Sequence, residues 1–163
     1  MTGVQTCALP ICQNIGAKQE ARANQGTRTT IFLTVSITAV IAAVLYVFAE
    51  PATGFFTRDA SVIEFGALFL HTNTFFLLFN CVNHVLAGAL RGRGDSQGPM
   101  FIMLIAFVAI RQAYLFIVTH FVANTARLVG FGYPVGWMSC CALEIAYYYF
   151  RWVKKEKDGA LRA

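Results

Sequence analysis

Residues 65–95 read FGALFLHTNTFFLLFNCVNHVLAGALRGRGD, and the fold turns on where charge falls in that run. From Phe65 to Leu90 there is no Asp, Glu, Lys or Arg. That is longer than the ~20 residues a helix needs to cross the hydrocarbon core of a bilayer. Arg91, Arg93 and Asp95 then crowd into a glycine-spaced knot, GALRGRGD from Gly88 to Asp95, wedged between this run and another apolar one. A glycine-rich arginine turn at the end of a span keeps cations at the water interface while letting two helices approach closely. The segment therefore reads as a membrane hinge and not as a soluble loop.

Working outward, 57% of the residues are hydrophobic and 13% charged, with a mean hydropathy of +0.58. Globular chains carry roughly 45–50% apolar and 25% charged residues, so this is a membrane composition. Thr29 to Ala49 is a second run without charge. A third extends from about Pro99 to Val122, broken only by Arg111, and a fourth from about Gly132 to Phe150, broken only by Glu144. The expected fold is all-α and integral to the membrane, with four transmembrane helices within residues 31–152.

Lys and Arg give the orientation, because cytoplasmic loops are enriched in them. Lys18, Arg22 and Arg28, then Arg91 and Arg93, then Arg151, Lys154, Lys155, Lys157 and Arg162 fall on one side, against Arg58 and Arg127 on the other. Residues 13–30 are thus expected to be a cytoplasmic segment and 153–163 a basic cytoplasmic tail, with GALRGRGD on the same side. The net charge of +5 is topological. A nucleic-acid partner is excluded, since these cations sit at membrane exits and not on a basic face of a soluble fold.

Met1 to Ile11, MTGVQTCALPI, lacks the basic start and apolar core of a secretory signal. It resembles the translation of a sequencing adaptor. Residues 1–12 are set aside on that ground, the chain is expected to be a truncated fragment, and genuine sequence is expected from near Gln13. Cys81, Cys140 and Cys141 lie inside apolar runs, where a thiol is a small hydrophobe, and no disulfide or zinc spacing emerges. Gly26 is expected to break the chain before the first span, Pro51 and Gly54 to end that span, and GFGYPVG, Gly130 to Gly136, to break the chain before the fourth. Trp137, Trp152 and Tyr147 to Tyr149 form an expected aromatic belt.

Three motifs carry a family resemblance: QNIGA (Gln13–Ala17) with Glu20 and Arg22, FFTRDASVIEFGA (Phe55–Ala67), and GALRGRGD. In order and spacing they resemble the multidrug and toxic compound extrusion (MATE) transporters. The resemblance implies the last four helices of the second six-helix lobe of a twelve-helix transporter in the cell membrane. The partners it implies are the lipid bilayer, the N-terminal lobe, the first helices of the same lobe, and organic, often cationic, small molecules. It implies no cofactor, and a proton or sodium ion as the coupling ion. Gly88, Arg91, Gly92, Gly94 and Asp95 become a structural or gating motif. Arg93 departs from the small residue expected inside the signature, and reads as an extra interface cation.

Polar groups within the spans supply the candidate substrate or ion pathway, since such groups are costly in hydrocarbon and usually face a cavity or a partner. Asn73, Asn80, Asn83 and His84 recur near helical spacing, which suits either a water-lined stripe or hydrogen bonds between helices. Some family members carry a carboxylate in this helix, and Asn80 stands roughly in its place. Arg111 and Glu144 lie roughly 16 and 18 Å from the outer ends of their runs at ~1.5 Å per residue, so a cross-helix pair is expected. A membrane haem subunit using His71, His84 and His120 is an alternative class, disfavoured because the three do not sit level. A lipid-linked saccharide flippase of related architecture and a passive membrane scaffold are further alternatives. No enzyme signature is present.

Overall fold

The computed structural model describes Ile11 and residues 13–122 and 125–153. The set-aside residues 1–12 apart from Ile11, the tail beyond Val153 and the Trp152 side chain lie outside what is described. Four helical stretches are long and apolar enough to cross a membrane: Glu20–Val47, Ala60–Gly92, Gln97–Val122 and Ala126–Arg151. Among the described residues the fold is all-helical, as composition requires of a chain whose backbone groups must be satisfied within hydrocarbon.

The first span is one unbroken helix, α1 (Glu20–Val47), followed by the short α2 (Ala49–Gly54). Gly26 lies inside α1 and is no break; the chain turns before it, at Lys18, whose φ is +57°. Pro51 falls in the first turn of α2, where its missing N–H costs nothing. Asp59 opens the second span by accepting from the Ser61 amide at 2.9 Å.

That span consists of α3 (Ala60–Asn73), one 3-10 turn (Thr74–Phe76) and α4 (Leu77–Gly92). The local cause of the change in winding is a run of three polar side chains, Thr72, Asn73 and Thr74. Each donates to the carbonyl four residues back, at Leu68, Phe69 and Leu70. Back-bonding of this kind competes with the helical ladder and bends it.

The third span joins α5 (Gln97–Leu104) and α6 (Arg111–Ile117) through a π-helical stretch at Ile105–Ile110 and ends in another at Val118–Val122. The fourth comprises α7 (Ala126–Gly130) and α8 (Gly132–Tyr148), then a π turn (Tyr149–Val153). GFGYPVG does not interrupt it beyond one residue, Phe131. Pro134 sits in the first turn of α8, and Gly132 and Gly136 let α8 close on the third span. A Cβ at Gly132 would lie 2.9 Å from the Leu115 side chain, and one at Gly136 3.0 Å from that of Phe107.

Helix α4 is the centre of the bundle, packed on α1 along one side and α8 along the other. Its buried residues there are mostly small: Ala89 packs with Ala23 of α1, and Ala87, Leu90 and Gly92 are buried beside it, as is Cys140 on α8. Membrane helices associate through such close van der Waals approach, because lipid is as apolar as leucine. Ile11, within the stretch read as adaptor sequence, packs with Ala23 and Ala89. Phe32, Val40 and Val47 of α1, and Phe101, Val108 and Phe121 of the third span, are exposed, an apolar exterior suited to lipid.

Candidate functional site

The GALRGRGD segment closes one helix and opens the next. Gly94 has φ +81°, the left-handed region that favours glycine, and the Gly94 amide donates to the Arg91 carbonyl at 3.0 Å. The Asp95 amide donates to Leu90 at 3.1 Å, which completes a Schellman motif at the end of α4. Asp95 then turns its carboxylate forward, and its Oδ1 accepts from the Gly98 amide at 3.0 Å in the first turn of α5.

Two side chains from this turn tie the bundle end together. Arg93 donates to the Tyr148 hydroxyl at 2.7 Å and to the Asn24 side-chain oxygen, with its guanidinium 4.8 Å from the Tyr148 ring centroid. Tyr148 itself donates to Asn24 at 3.0 Å, so α1, the turn and α8 share one node. Asp95 Oδ2 accepts from the Tyr147 hydroxyl at 2.7 Å and faces Arg151 at 3.6 Å. The Asp95 side chain is 13% exposed.

The Tyr147 hydroxyl, helped by the Gly98 amide and Arg151, holds the Asp95 carboxyl below the ordinary aspartate range, against the opposing effect of desolvation. A depressed acid stabilises the fold above its unfolded pKa, and that contribution disappears as pH falls through the folded value. The Asp95 contacts are therefore complete at neutral pH and are lost only in acid.

Sequence reasoning passed over Arg93 as a bland cation because the family pattern has a small residue there. The structure gives it the cross-helix role. Arg91 is exposed, and its Nε donates to Ala87 of its own helix at 3.0 Å. Around Gly88 there is open space, with nothing within 4 Å of a Cβ built there, and Gly92 is buried.

The asparagine stripe divides. Asn83 is 1% exposed and donates to the Trp137 carbonyl of α8 at 3.1 Å, while its Oδ1 is buried without a partner. Asn73, also buried, bonds its own helix at Phe69 and leaves its Oδ1 unpaired. Asn80 is half-buried and His84 is exposed. The 3-10 turn at Thr74–Phe76 separates Asn73 from the other three.

Arg111 and Glu144 do not form the expected pair. The Arg111 guanidinium lies over the Tyr133 ring at 3.9 Å, its Nε is buried without a partner, and both Glu144 oxygens are unpaired. Arg111 packs at Tyr133 and Gly136, which at ~1.5 Å per residue is roughly 12 to 16 Å along α8 from Glu144. Depth was misjudged because the fourth span begins at Ala126 and not at Gly132, which pushes Glu144 further toward the GALRGRGD end.

The haem alternative loses its geometric basis. His71 stacks on Tyr46 with ring centroids 4.7 Å apart, His120 stacks on Phe116 at 4.4 Å, and His84 is exposed on α4. Among the described residues no three His, Cys, Asp or Glu side chains are grouped to hold a metal ion.

Four apolar spans, a buried small-residue seam and a capped polar turn define an all-helical, multi-pass membrane protein. A family model described as MatE matches residues 1–117, and the chain belongs to that family. It is 26% identical over 147 residues to a protein of Halalkalibacterium halodurans named "Probable multidrug resistance protein NorM", covering 87% of this chain and 31% of that one. A protein of the same name from Mannheimia succiniciproducens is 22% identical, covering 96% of this chain and 34% of the other. One from Aromatoleum aromaticum is 32% identical over 62% of this chain and 22% of its own length. The chain spans about a third of the length of the first two of these relatives. No solved structure matches it.

Proposed function

We propose that the chain forms the last four helices of the second lobe of a MATE-type secondary transporter. That transporter exports organic, often cationic, compounds in exchange for protons or sodium ions. The family match carries the proposal, and the relatives' printed names favour drug export over saccharide flipping. The Lys and Arg asymmetry supports a cytoplasmic position for GALRGRGD and both ends of the chain.

In such a transporter two lobes rock about a central cavity, driven by differential cation binding to inward and outward states. The Arg93 and Asp95 contacts lie within the four-helix body, so their part is to keep that body rigid as it moves. Asn73, Asn80, Asn83, His84, Arg111 and Glu144 remain the pathway candidates. The unpaired oxygens of Asn73, Asn83 and Glu144 favour the first, third and last of these.

Everted vesicles containing the intact transporter that carries this segment provide the test. Uptake of a fluorescent organic cation should follow an imposed proton or sodium gradient and collapse with the matching ionophore. Uptake no greater than in vesicles lacking the protein would overturn the proposal.

A further inference from the structure

Glu144 is 0% exposed, and neither of its carboxyl oxygens has a hydrogen-bond partner among the described residues. The packing at its level is close: Leu90 is buried, and Ile11, Ala23 and Ala89 form a buried cluster with Ile15 and Tyr148 packed on it.

Register places the carboxyl. Asn83 of α4 bonds Trp137 of α8, and Arg93 bonds Tyr148, so the two helices run parallel and Glu144 lies level with Leu90. It is thus about one helical turn inside the GALRGRGD hinge.

Its charged and titratable surroundings are few. From α4 the charge of Arg91 reaches it, and Cys81 lies near Cys141. On α8 itself Cys140 and Cys141 sit one turn back, Tyr147 is engaged by Asp95 and Tyr148 by Asn24 and Arg93. The facing segment of the third span, Gln97 to Ile110, carries no titratable side chain. Arg111, Tyr114 and Arg127 lie toward the far end of the fourth span, against Tyr133, Leu128 and Gly130. Helix α1 packs on the other side of α4 and meets α8 through Asn24.

This donor set distinguishes between ions. Sodium is a hard cation that wants several oxygen ligands, and thiols and hydrocarbon do not supply them. An ionised carboxylate with no partner is strongly disfavoured in an apolar interior, whereas the neutral acid is tolerated. We propose that Glu144 is a proton-binding site of the transport cycle, enclosed as the neutral acid in the state seen here. When it releases its proton, it moves toward Arg91 at the hinge. The step breaks the carboxyl O–H bond heterolytically: the proton passes to water at the hinge end, the electron pair stays on the carboxylate, and Arg91 compensates the charge. The site rests on the efflux reading above only for its place in a transport cycle.

The experiment combines infrared difference spectroscopy and transport on the intact transporter in lipid, with wild type and Glu144→Gln compared. A protonated-carboxyl stretch absent from E144Q should vanish as pH rises and ignore added sodium chloride. Proton-driven uptake in E144Q should fall about tenfold or more, while substrate counterflow without a gradient persists. The proposal is overturned if no stretch is sensitive to E144Q, if sodium displaces it, or if E144Q transports normally. Failure of E144Q to fold would also overturn it, since glutamine replaces a neutral acid at nearly constant shape. If wild type shows no gradient-driven uptake, the efflux reading fails, and the infrared titration still decides whether Glu144 holds a proton.

Discussion

Arg93→Ala is expected to lower the unfolding free energy by about 2 kcal/mol, read as an earlier midpoint when the reconstituted protein is titrated with denaturing detergent. The alanine removes the charge-assisted hydrogen bonds to Tyr148 and Asn24 and the stacking of the guanidinium on Tyr148, and takes one donor away from the Asn24 oxygen. Arg93→Lys should recover only part of the loss, because a lysine cannot reach both oxygens with a planar fork. Arg91→Ala provides the contrast. Its one hydrogen bond is to its own helix and its side chain is exposed, so its effect on stability should stay within about 0.5 kcal/mol. Equal losses at the two positions would mean that the turn is not anchored through Arg93.

The second large effect is expected at Gly98. A Cβ there would lie 2.6 Å from Tyr147 Cε1 and 2.7 Å from its hydroxyl oxygen, so Gly98→Ala must push the ring away. Overpacking of this kind costs about 1–3 kcal/mol. It also carries a spectroscopic signature, since the displaced hydroxyl can no longer bond Asp95. The carboxyl carbon of Asp95, followed by NMR, should titrate below the ordinary aspartate range in wild type and move back up toward it in Gly98→Ala. The acid-labile part of the stability should move the same way, being lost at a higher pH in the variant. An unchanged Asp95 midpoint in a folded variant would show that Tyr147 does not hold that carboxylate.

Much of the architecture was legible in the residues. Two charge-free runs and two broken by a single charge located four spans, because no backbone can cross hydrocarbon except as a helix or closed barrel, and the glycines of GALRGRGD announced a tight turn. Span ends were read less well. Gly26 sits inside α1 and Pro134 inside the first turn of α8, because a lone glycine is tolerated in a long apolar helix and proline is harmless before the ladder is established. That error propagated into function: placing the fourth span too late put Glu144 level with Arg111 and suggested a pair that does not form.

The polar stripe on the second span was seen as a pattern. Its division between Asn83, which bonds Trp137 of α8, and the exposed His84 depends on which face of α4 packs on α8, which periodicity alone does not disclose. Arg93 was undervalued for a different reason. Its partners Asn24 and Tyr148 are far away in sequence, and only the packing of α1 and α8 on α4 brings them to one point.

GALRGRGD as the cytoplasmic closing turn of an efflux lobe is the claim on which the rest depends, and thiol labelling tests it most directly. In a background lacking Cys7 and Cys12, Ser96→Cys in that exposed turn and Ala60→Cys at the opposite end of the second span are each treated with a membrane-impermeant maleimide. Residue 96 should react in everted vesicles and not in intact cells, and residue 60 the reverse. Labelling of residue 96 from outside intact cells would contradict the orientation, and with it the assignment of this turn to the cytoplasmic side.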